Sequence, residues 1–346
     1  MILVTGNLGY IGSVLTPLLL KQGYDVKGFD TGWFKEEMFL SSSTQKNSLY
    51  NRWARVQLIR DIRSIQPDDL EGVSAVIHLA ALSNDPLGEL NPQLTHEINY
   101  KSTVELAKLC KQKKIERFIF SSSCSVYGRA SVSDMLRESD LAKPATEYAK
   151  SKFMAEQGLL ELSSDGFHPI ILRNATVYGY SPRMRLDLVV NDLVAKSFLE
   201  HRVSILSDGS PWRPLIHIED LCEAFISFLK TPTPEVNYSI FNIGSNDQNF
   251  TIGEIGQEIV SFDPKSHFEI LNQAEPDQRS YRVDFSKFQK KFNFKPKWTL
   301  RMGIEDLYNK YLACGLTKQN VETKKYVRLQ KVKRLLQQKV ISEILS

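Results

Sequence analysis

Short apolar runs recur through the first half of the chain, and each gives way to small or polar residues. They are Ile2-Leu3-Val4-Thr5, Tyr24 to Phe29, Val56 to Ile59, Ala75 to Ala81, Arg117 to Phe120 and Pro169 to Arg173. Runs of this length that do not alternate with polar residues suit strands buried on both faces. Between them apolar residues take helical spacing. Val14, Leu15, Leu18 and Leu19 form one such stripe, closed by Gly23. A second runs roughly from Pro92 to Lys113, and a third stretch carries Tyr148 to Lys152. Strands alternating with helices predict an α/β fold with a doubly wound parallel sheet. Pro17 removes a backbone hydrogen bond inside the first helix, which predicts a kink or a face turned so that the freed carbonyl is solvated.

The rhythm is interrupted twice. Residues 31–53 form a polar, serine-containing insertion whose Trp33, Phe34 and Phe39 serve as anchors or as part of a site. Beyond Tyr178-Gly179 the elements shorten, with Pro182, Pro211, Pro214, Pro232 and Pro234 as punctuation. Ser239 to Gly244 still reads as a buried strand, so the chain is expected to return to the sheet once. The expected division is 1–178 for the sheet domain, 179–314 for a smaller C-terminal lobe, and 315–346 for a basic helical tail. In that tail Tyr326, Leu329, Val332, Leu336, Val340 and Ile344 lie at helical spacing among lysines and arginines, a stripe suited to docking on the core.

Composition removes several classes of function. The net charge of +4 on 346 residues is too mild to argue for nucleic acid. The four cysteines, Cys110, Cys124, Cys222 and Cys314, lie far apart with no C-x-x-C spacing, so no metal site and no disulfide framework is expected. No apolar run reaches transmembrane length, so no membrane partner is expected. The chain opens directly on a core strand, which predicts a cytoplasmic protein without a leader.

The candidate chemistry lies where the strands end. Ile2 to Thr5 runs into Gly6-Asn7-Leu8-Gly9-Tyr10-Ile11-Gly12, and the next strand ends on Asp30. This is a βαβ unit with glycines at its first turn. Gly6 permits the tight turn, Gly9 lets backbone approach a pyrophosphate, and Gly12 lets the helix lie close on the strand. The helix start, from Tyr10 and Ile11 onward, offers N–H groups to phosphate. Asp30 can accept hydrogen bonds from both hydroxyls of an adenosine ribose. No arginine follows it to meet a 2′-phosphate, so NAD is expected over NADP. Asp61 ends the third strand and either meets the adenine amino group or caps the next turn. Leu79-Ala80-Ala81 ends the fourth in small residues that let a flat cofactor approach, and Ser83-Asn84 follows as a polar loop over the same edge. His78 is expected to be a packed core residue.

Tyr148 and Lys152 are four apart on one helix face. A phenol has an ordinary pKa of about 10 and makes a poor base at neutral pH. A neighbouring ammonium and a positive nicotinamide ring would both lower it. Such a pair can take a proton from a sugar hydroxyl while hydride leaves the same carbon. Ser123, at the end of the fifth strand, is placed to hydrogen-bond that hydroxyl.

With these residues in place, the chain resembles an extended short-chain dehydrogenase/reductase of the NAD-dependent nucleotide-sugar epimerase and dehydratase group. The likeness covers roughly residues 1 to 310. It rests on Thr5-Gly6-x-x-Gly9-x-x-Gly12, Asp30, Asp61-Ile62, His78-Leu79-Ala80-Ala81, Asn99, Ser123, Tyr148-x-x-x-Lys152 and Val177-Tyr178-Gly179. It implies a Rossmann-type sheet, bound NAD, a nucleoside-diphosphate sugar as substrate, a homodimer, and transient oxidation at C4. It carries over Ser123, Tyr148 and Lys152 as the catalytic triad, and adds Ile62 and Asn99 to the cofactor side. On the substrate side it implies Ser83, Asn84, Ser125 and Thr176, with Arg213 as a diphosphate contact and Asp277 and Arg279 as a second phosphate segment. The run Ser181-Pro182-Arg183-Met184-Arg185-Leu186-Asp187 resembles a stretch in dehydrogenases acting on GDP-heptoses. Arg183 and Arg185 would there read sugar or phosphate, a solvated loop being the alternative.

Departures from the pattern narrow the reaction. The 4,6-dehydratases of this group carry an Asp-Glu pair after the triad hydroxyl, where this chain has Cys124-Ser125. The 3,5-epimerases carry a cysteine at the position of Ser125 and a His or Lys in the downstream helix, which around Leu188-Val189-Val190 supplies neither. Cys124 is then a packing residue. The expectation is a 4-epimerase that returns the hydride to the opposite face. A C4 dehydrogenase releasing a ketosugar, possibly from a GDP-heptose, is the alternative within the group, and a non-catalytic NAD-binding scaffold is the alternative outside it.

Overall fold

The computed structural model describes residues 1–40, 54–129, 135–164, 166–232, 239–273 and 280–338. At its centre lies a seven-stranded sheet whose paired strands all run parallel. Its strands are β1 (Ile2–Thr5), β2 (Val26–Asp30), β3 (Val56–Ile59), β4 (Ala75–His78), β5 (Arg117–Ser123), β6 (His168–Asn174) and, after a long excursion, Ile240–Ile243. From edge to edge the order is β3, β2, β1, β4, β5, β6 and Ile240–Ile243. The order reverses between β1 and β4, and ligands of such sheets bind outside the carboxyl ends of the strands at that switch point.

Residue alternation divides the core. Ile2, Val4, Ile77 and Ile119 face a cluster with Leu15 and Leu19 of α1 (Gly12–Lys21), while Leu3, Val76, Phe118 and Phe120 face the opposite cluster. That opposite layer contains the helices Pro92–His96 and Ser102–Gln112, joined by a π-helical turn at Glu97–Lys101, and the helix Glu147–Leu162. The helix expected over Pro92 to Lys113 is thus one continuous run with a π turn at its centre, and Asn99 lies in that turn. The first helix runs through the half-buried Pro17. His78 is fully buried, with Nδ1 at 2.7 Å from Thr5 Oγ1 and Nε2 at 2.8 Å from Thr103 Oγ1. Burial pushes its pKa down to about 3.

A third cluster forms the substrate-side lobe around Tyr178, Val190, Val194, Ile255, Ile304 and Tyr311. It is not the whole of 179–314. The helix Ile218–Lys230 packs Leu221, Phe225 and Phe228 on the α1 side of the sheet, together with Phe285 and Phe288. Ile240–Ile243 is the expected return to the sheet, and residues 218–230 and 285–288 pack in the same layer beside it. The tail forms two helices, Lys318–Glu322 and Arg328–Gln337. Tyr326 packs into the lobe, whereas Val332 and Leu335 pack under the sheet domain. Val340 and Ile344 lie outside the described residues. Among the described residues no helix is long and apolar enough to cross a membrane, and no cluster of His, Cys, Asp and Glu is arranged to hold a metal ion.

Candidate active site

Two connected hollows open at the carboxyl ends of the strands. The smaller, about 110 Å³, is lined by Gly6, Gly9, Tyr10, Asp30, Asp61, Ile62, Leu79, Ala80 and Ala81, together with Trp33, Phe34, Arg60 and Arg328. Gly6 has φ +70°, and a Cβ there would stand 2.8 Å from Ala80 N. A Cβ on Gly12 would stand 2.3 Å from Gly6 O, so Gly12 shapes the turn from behind and does not line the hollow. Asp30 accepts from Gly32 N at 2.7 Å and from Leu8 N at 3.1 Å. Burial pushes its carboxyl above the usual range, against those two N–H groups and the charges of Arg328 and Arg183. Asp61 caps the next turn, accepting from Arg63 N at 2.8 Å, and also lines the hollow.

The larger cleft, about 730 Å³, takes in Ile11, Ser83, Asn84, Ser123, Ser125, Tyr148, Lys152, Thr176, Arg185 and Arg213. Tyr10, Leu79, Ala81, Ser83 and Arg185 line both hollows. Tyr10 Oη donates to Gly179 O at 2.6 Å and accepts from Asn191 Nδ2 at 3.1 Å, tying the glycine turn to the lobe. Arg185 pairs with Asp187, with Nε to Oδ1 at 2.9 Å and Nη2 to Oδ2 at 3.1 Å, and its Nη1 donates to Ser83 O at 3.1 Å. Asn84 Nδ2 holds the same Asp187 at 2.7 Å. Ser125 Oγ and Asn174 Oδ1 are buried in the wall without a hydrogen-bond partner.

The helix Glu147–Leu162 begins at Thr146, whose side chain caps Ala149 N, and it presents Tyr148 and Lys152 on the cleft side. Burial and the charge of Asp85 push the Tyr148 phenol up to about 12, while Arg185 and a hydrogen bond to Ser123 pull it down. Lys152 is buried, with Nζ donating to Ser121 O at 2.8 Å over the Phe120 ring. Burial pushes its ammonium down to about 7, against the pull of Glu156. Among the protein's own cations the one that favours the phenolate is Arg185, where the sequence suggested Lys152 beside a nicotinamide ring.

Three expected placements change. Asn99 is fully buried and does not line the cofactor hollow; its Oδ1 accepts from Leu82 N at 2.8 Å, and its Nδ2 reaches Leu82 O at 3.1 Å and Ser151 Oγ at 3.0 Å. It holds the wall in place. Arg183 lines neither hollow, and burial pushes its pKa down to about 10, against the charges of Asp30 and Glu37. Asp277 and Arg279 lie outside the described residues. Cys124 is fully buried with Sγ 3.2 Å from Arg173 O, and burial pushes its thiol well up, so it packs as expected. Sequence reasoning missed Arg60, Asp187 and Arg328. It also stopped one turn short on the downstream helix, Val189–Glu200, whose Lys196 lines the cleft paired to Asp192 at 2.7 Å. Only Trp33 and Phe34 had carried a signal, as aromatics in a polar insertion.

Comparison with known proteins gives this architecture a family. The NAD dependent epimerase/dehydratase family matches residues 2–244. A UDP-glucose 4-epimerase of Mycoplasma pneumoniae is 31% identical over 331 residues, covering 88% of this chain and 94% of that protein. A UDP-glucuronate 4-epimerase of Thermodesulfobacterium geofontis is 26% identical over 345 residues, covering 94% and 99%. The structure of a UDP-glucuronic acid 4-epimerase from Bacillus cereus with NAD superposes with a TM-score of 0.75 at 27% identity, covering 89% of this chain and 95% of that one. With the family match spanning most of its length, the chain belongs to the NAD dependent epimerase/dehydratase family.

Proposed function

We propose that the protein is an NAD-dependent nucleotide-sugar 4-epimerase, with Ser123, Tyr148 and Lys152 as its catalytic residues. The hollow fits the cofactor: the close approach of Gly6 to Ala80 leaves the turn open for a diphosphate, and Asp30 stands at the ribose position. NAD held there would supply a reversible hydride acceptor for the sugar's C4. Tyr148 takes the proton from the C4 hydroxyl and later gives it back, and Ser123 holds the same oxygen. Lys152, under the phenol, adds a positive charge when protonated and orients the ribose beside it. Ser125 Oγ and Asn174 Oδ1, unpartnered in the cleft wall, are suited to sugar hydroxyls. Ser83, Asn84, Thr176 and Arg185 line the sugar end, and Arg213, against the Tyr281 ring, suits the substrate diphosphate. A cleft of about 730 Å³ is of a size for such a ligand.

The observation that carries the reading is that Ser123, Tyr148 and Lys152 line one cleft, which shares Tyr10, Leu79, Ala81, Ser83 and Arg185 with the cofactor hollow, while Cys124 is shut away and Ser125 lines the cleft. The carboxylates a 4,6-dehydratase would use there are absent from these positions. Four cysteines outside any disulfide, three of them buried, fit a reducing compartment, so the enzyme is placed in the cytoplasm as a homodimer, which sedimentation of the purified chain tests. Incubation with UDP-, GDP-, CDP- and dTDP-sugars, followed by NMR and mass spectrometry, tests the activity. The expected product is the C4 epimer with its C6 oxygen retained and the cofactor oxidised at the end. A ketosugar with accumulating reduced cofactor would assign the dehydrogenase alternative, and loss of one water would overturn both. No turnover of any sugar would favour the scaffold.

A further inference from the structure

The tail does more than dock. Three successive residues straddle the boundary between the two hollows: Arg328 lines the cofactor side, while Val327 and Leu329 line the sugar side. The segment therefore runs along the boundary of the two hollows, where Tyr10 of the glycine turn and Arg185 also line both. This part of the chain lies beyond the residues that match the family.

Arg328 is held there firmly. It is 4% exposed, its guanidinium stacks 3.8 Å from the centre of the Phe34 ring, and Nη2 donates to Arg183 O at 3.0 Å. On one side Leu186 N donates to Tyr326 O at 3.0 Å, and Tyr326 packs edge-on against Phe39. On the other, Val332 and Leu335 are buried under the sheet domain, and Lys331 Nζ lies 3.5 Å from Glu37 Oε1. A buried arginine is expensive unless its charge is answered. Arg185 next to it is already committed to Asp187. Burial and the neighbouring Arg185 and Arg183 push the Arg328 pKa down to about 9, against Asp187 and Glu37, and Asp30 also feels its charge.

We infer that Arg328 is a cofactor-binding residue, its guanidinium meeting the diphosphate of the dinucleotide where the two hollows join. The inference rests on the NAD reading. A planar guanidinium answers two phosphate oxygens at once, and the boundary of the two hollows is where the diphosphate must pass between a ribose at Asp30 and a nicotinamide near Tyr148. The alternative is that Arg328 only props Phe34 and Arg183.

Calorimetric titration of the full chain with NAD, ADP and adenosine separates these. In Arg328→Met, NAD and ADP should bind about ten- to a hundred-fold more weakly, the range for a charge-assisted contact, while adenosine stays within about two-fold. Arg328→Lys should fall between the two. Arg328→Gln keeps an amide donor for Arg183 O and should show the same split, which covers the case in which methionine disturbs folding. Equal losses for adenosine and ADP, or no loss for either, would overturn the proposal. Asp30→Ala, by contrast, should weaken all three ligands. If the parent chain bound none of them, the cofactor reading would fail along with this one.

Discussion

In the proposed reaction Tyr148 takes the proton, and its environment sets a pH dependence. Burial pushes the phenol up to about 12, so below that value the phenolate fraction grows about tenfold per pH unit. A general base must be deprotonated to act, so kcat/KM should rise from slightly acid to alkaline pH until bound cofactor has brought the phenol into range. Tyr148→Phe should lower kcat by at least about a hundred-fold and leave NAD affinity near the parent's. A pH–rate profile with parallel titration of NAD checks both, and activity within a few-fold of the parent would reassign the proton transfer. Ser123, Tyr148 and Lys152 were legible because a strand end and a helix face fix their spacing. The field acting on them was not. Arg185 comes from a loop far along the chain, and the commitment of Lys152 Nζ to Ser121 O depends on how a helix rests on a strand.

At the level of elements, the helix Glu147–Leu162 is located by two buried devices. Glu156 and Arg173 form a bidentate pair, Nη2 to Oε2 at 2.7 Å, that fastens it to β6. Removing one partner leaves a buried charge unanswered, so Glu156→Gln should cost about 3–5 kcal/mol, read as a fall in the urea midpoint. Asn99 is the second device, joining the loop at Leu82 to Ser151. Asn99→Ala strands the Leu82 N–H and C=O and should cost about 1–3 kcal/mol by the same measurement. The π turn that aims Asn99 inward was not legible, since one extra residue in a turn hardly disturbs the apolar periodicity from Pro92 to Lys113. Most strands were legible because parallel strands buried on both faces read as continuous apolar runs; β2 begins two residues later than expected, at Val26.

For the whole molecule, the parallel sheet and its switch point follow from the strand–helix alternation, but the packing of Ile218–Lys230 in the sheet layer does not. A helix such as Ile218–Lys230, with one strongly apolar face, needs a partner surface, and sequence alone does not say which layer offers it. Here α1 does. A fragment ending at 178 would lose that cover and expose β6 as an unpaired edge, where Ile240–Ile243 now pairs with it. Residues 1–178 expressed alone should therefore aggregate or stay partly unfolded, whereas the full chain should melt without an early transition in the sheet. Light scattering and calorimetry would show this, and a monomeric, cooperatively folded fragment would contradict it.

The run of Val327, Arg328 and Leu329 along the boundary of the two hollows also bears on the order in which the molecule is made. The glycine turn and Asp30 leave the ribosome some three hundred residues before the segment that lies over them, a delay of about 15–60 s at ordinary elongation rates. A nascent chain thus offers an uncovered cofactor groove that the finished protein does not. Chains translated with labelled NAD present should acquire it faster than finished protein exchanges it, making the cofactor a companion of synthesis.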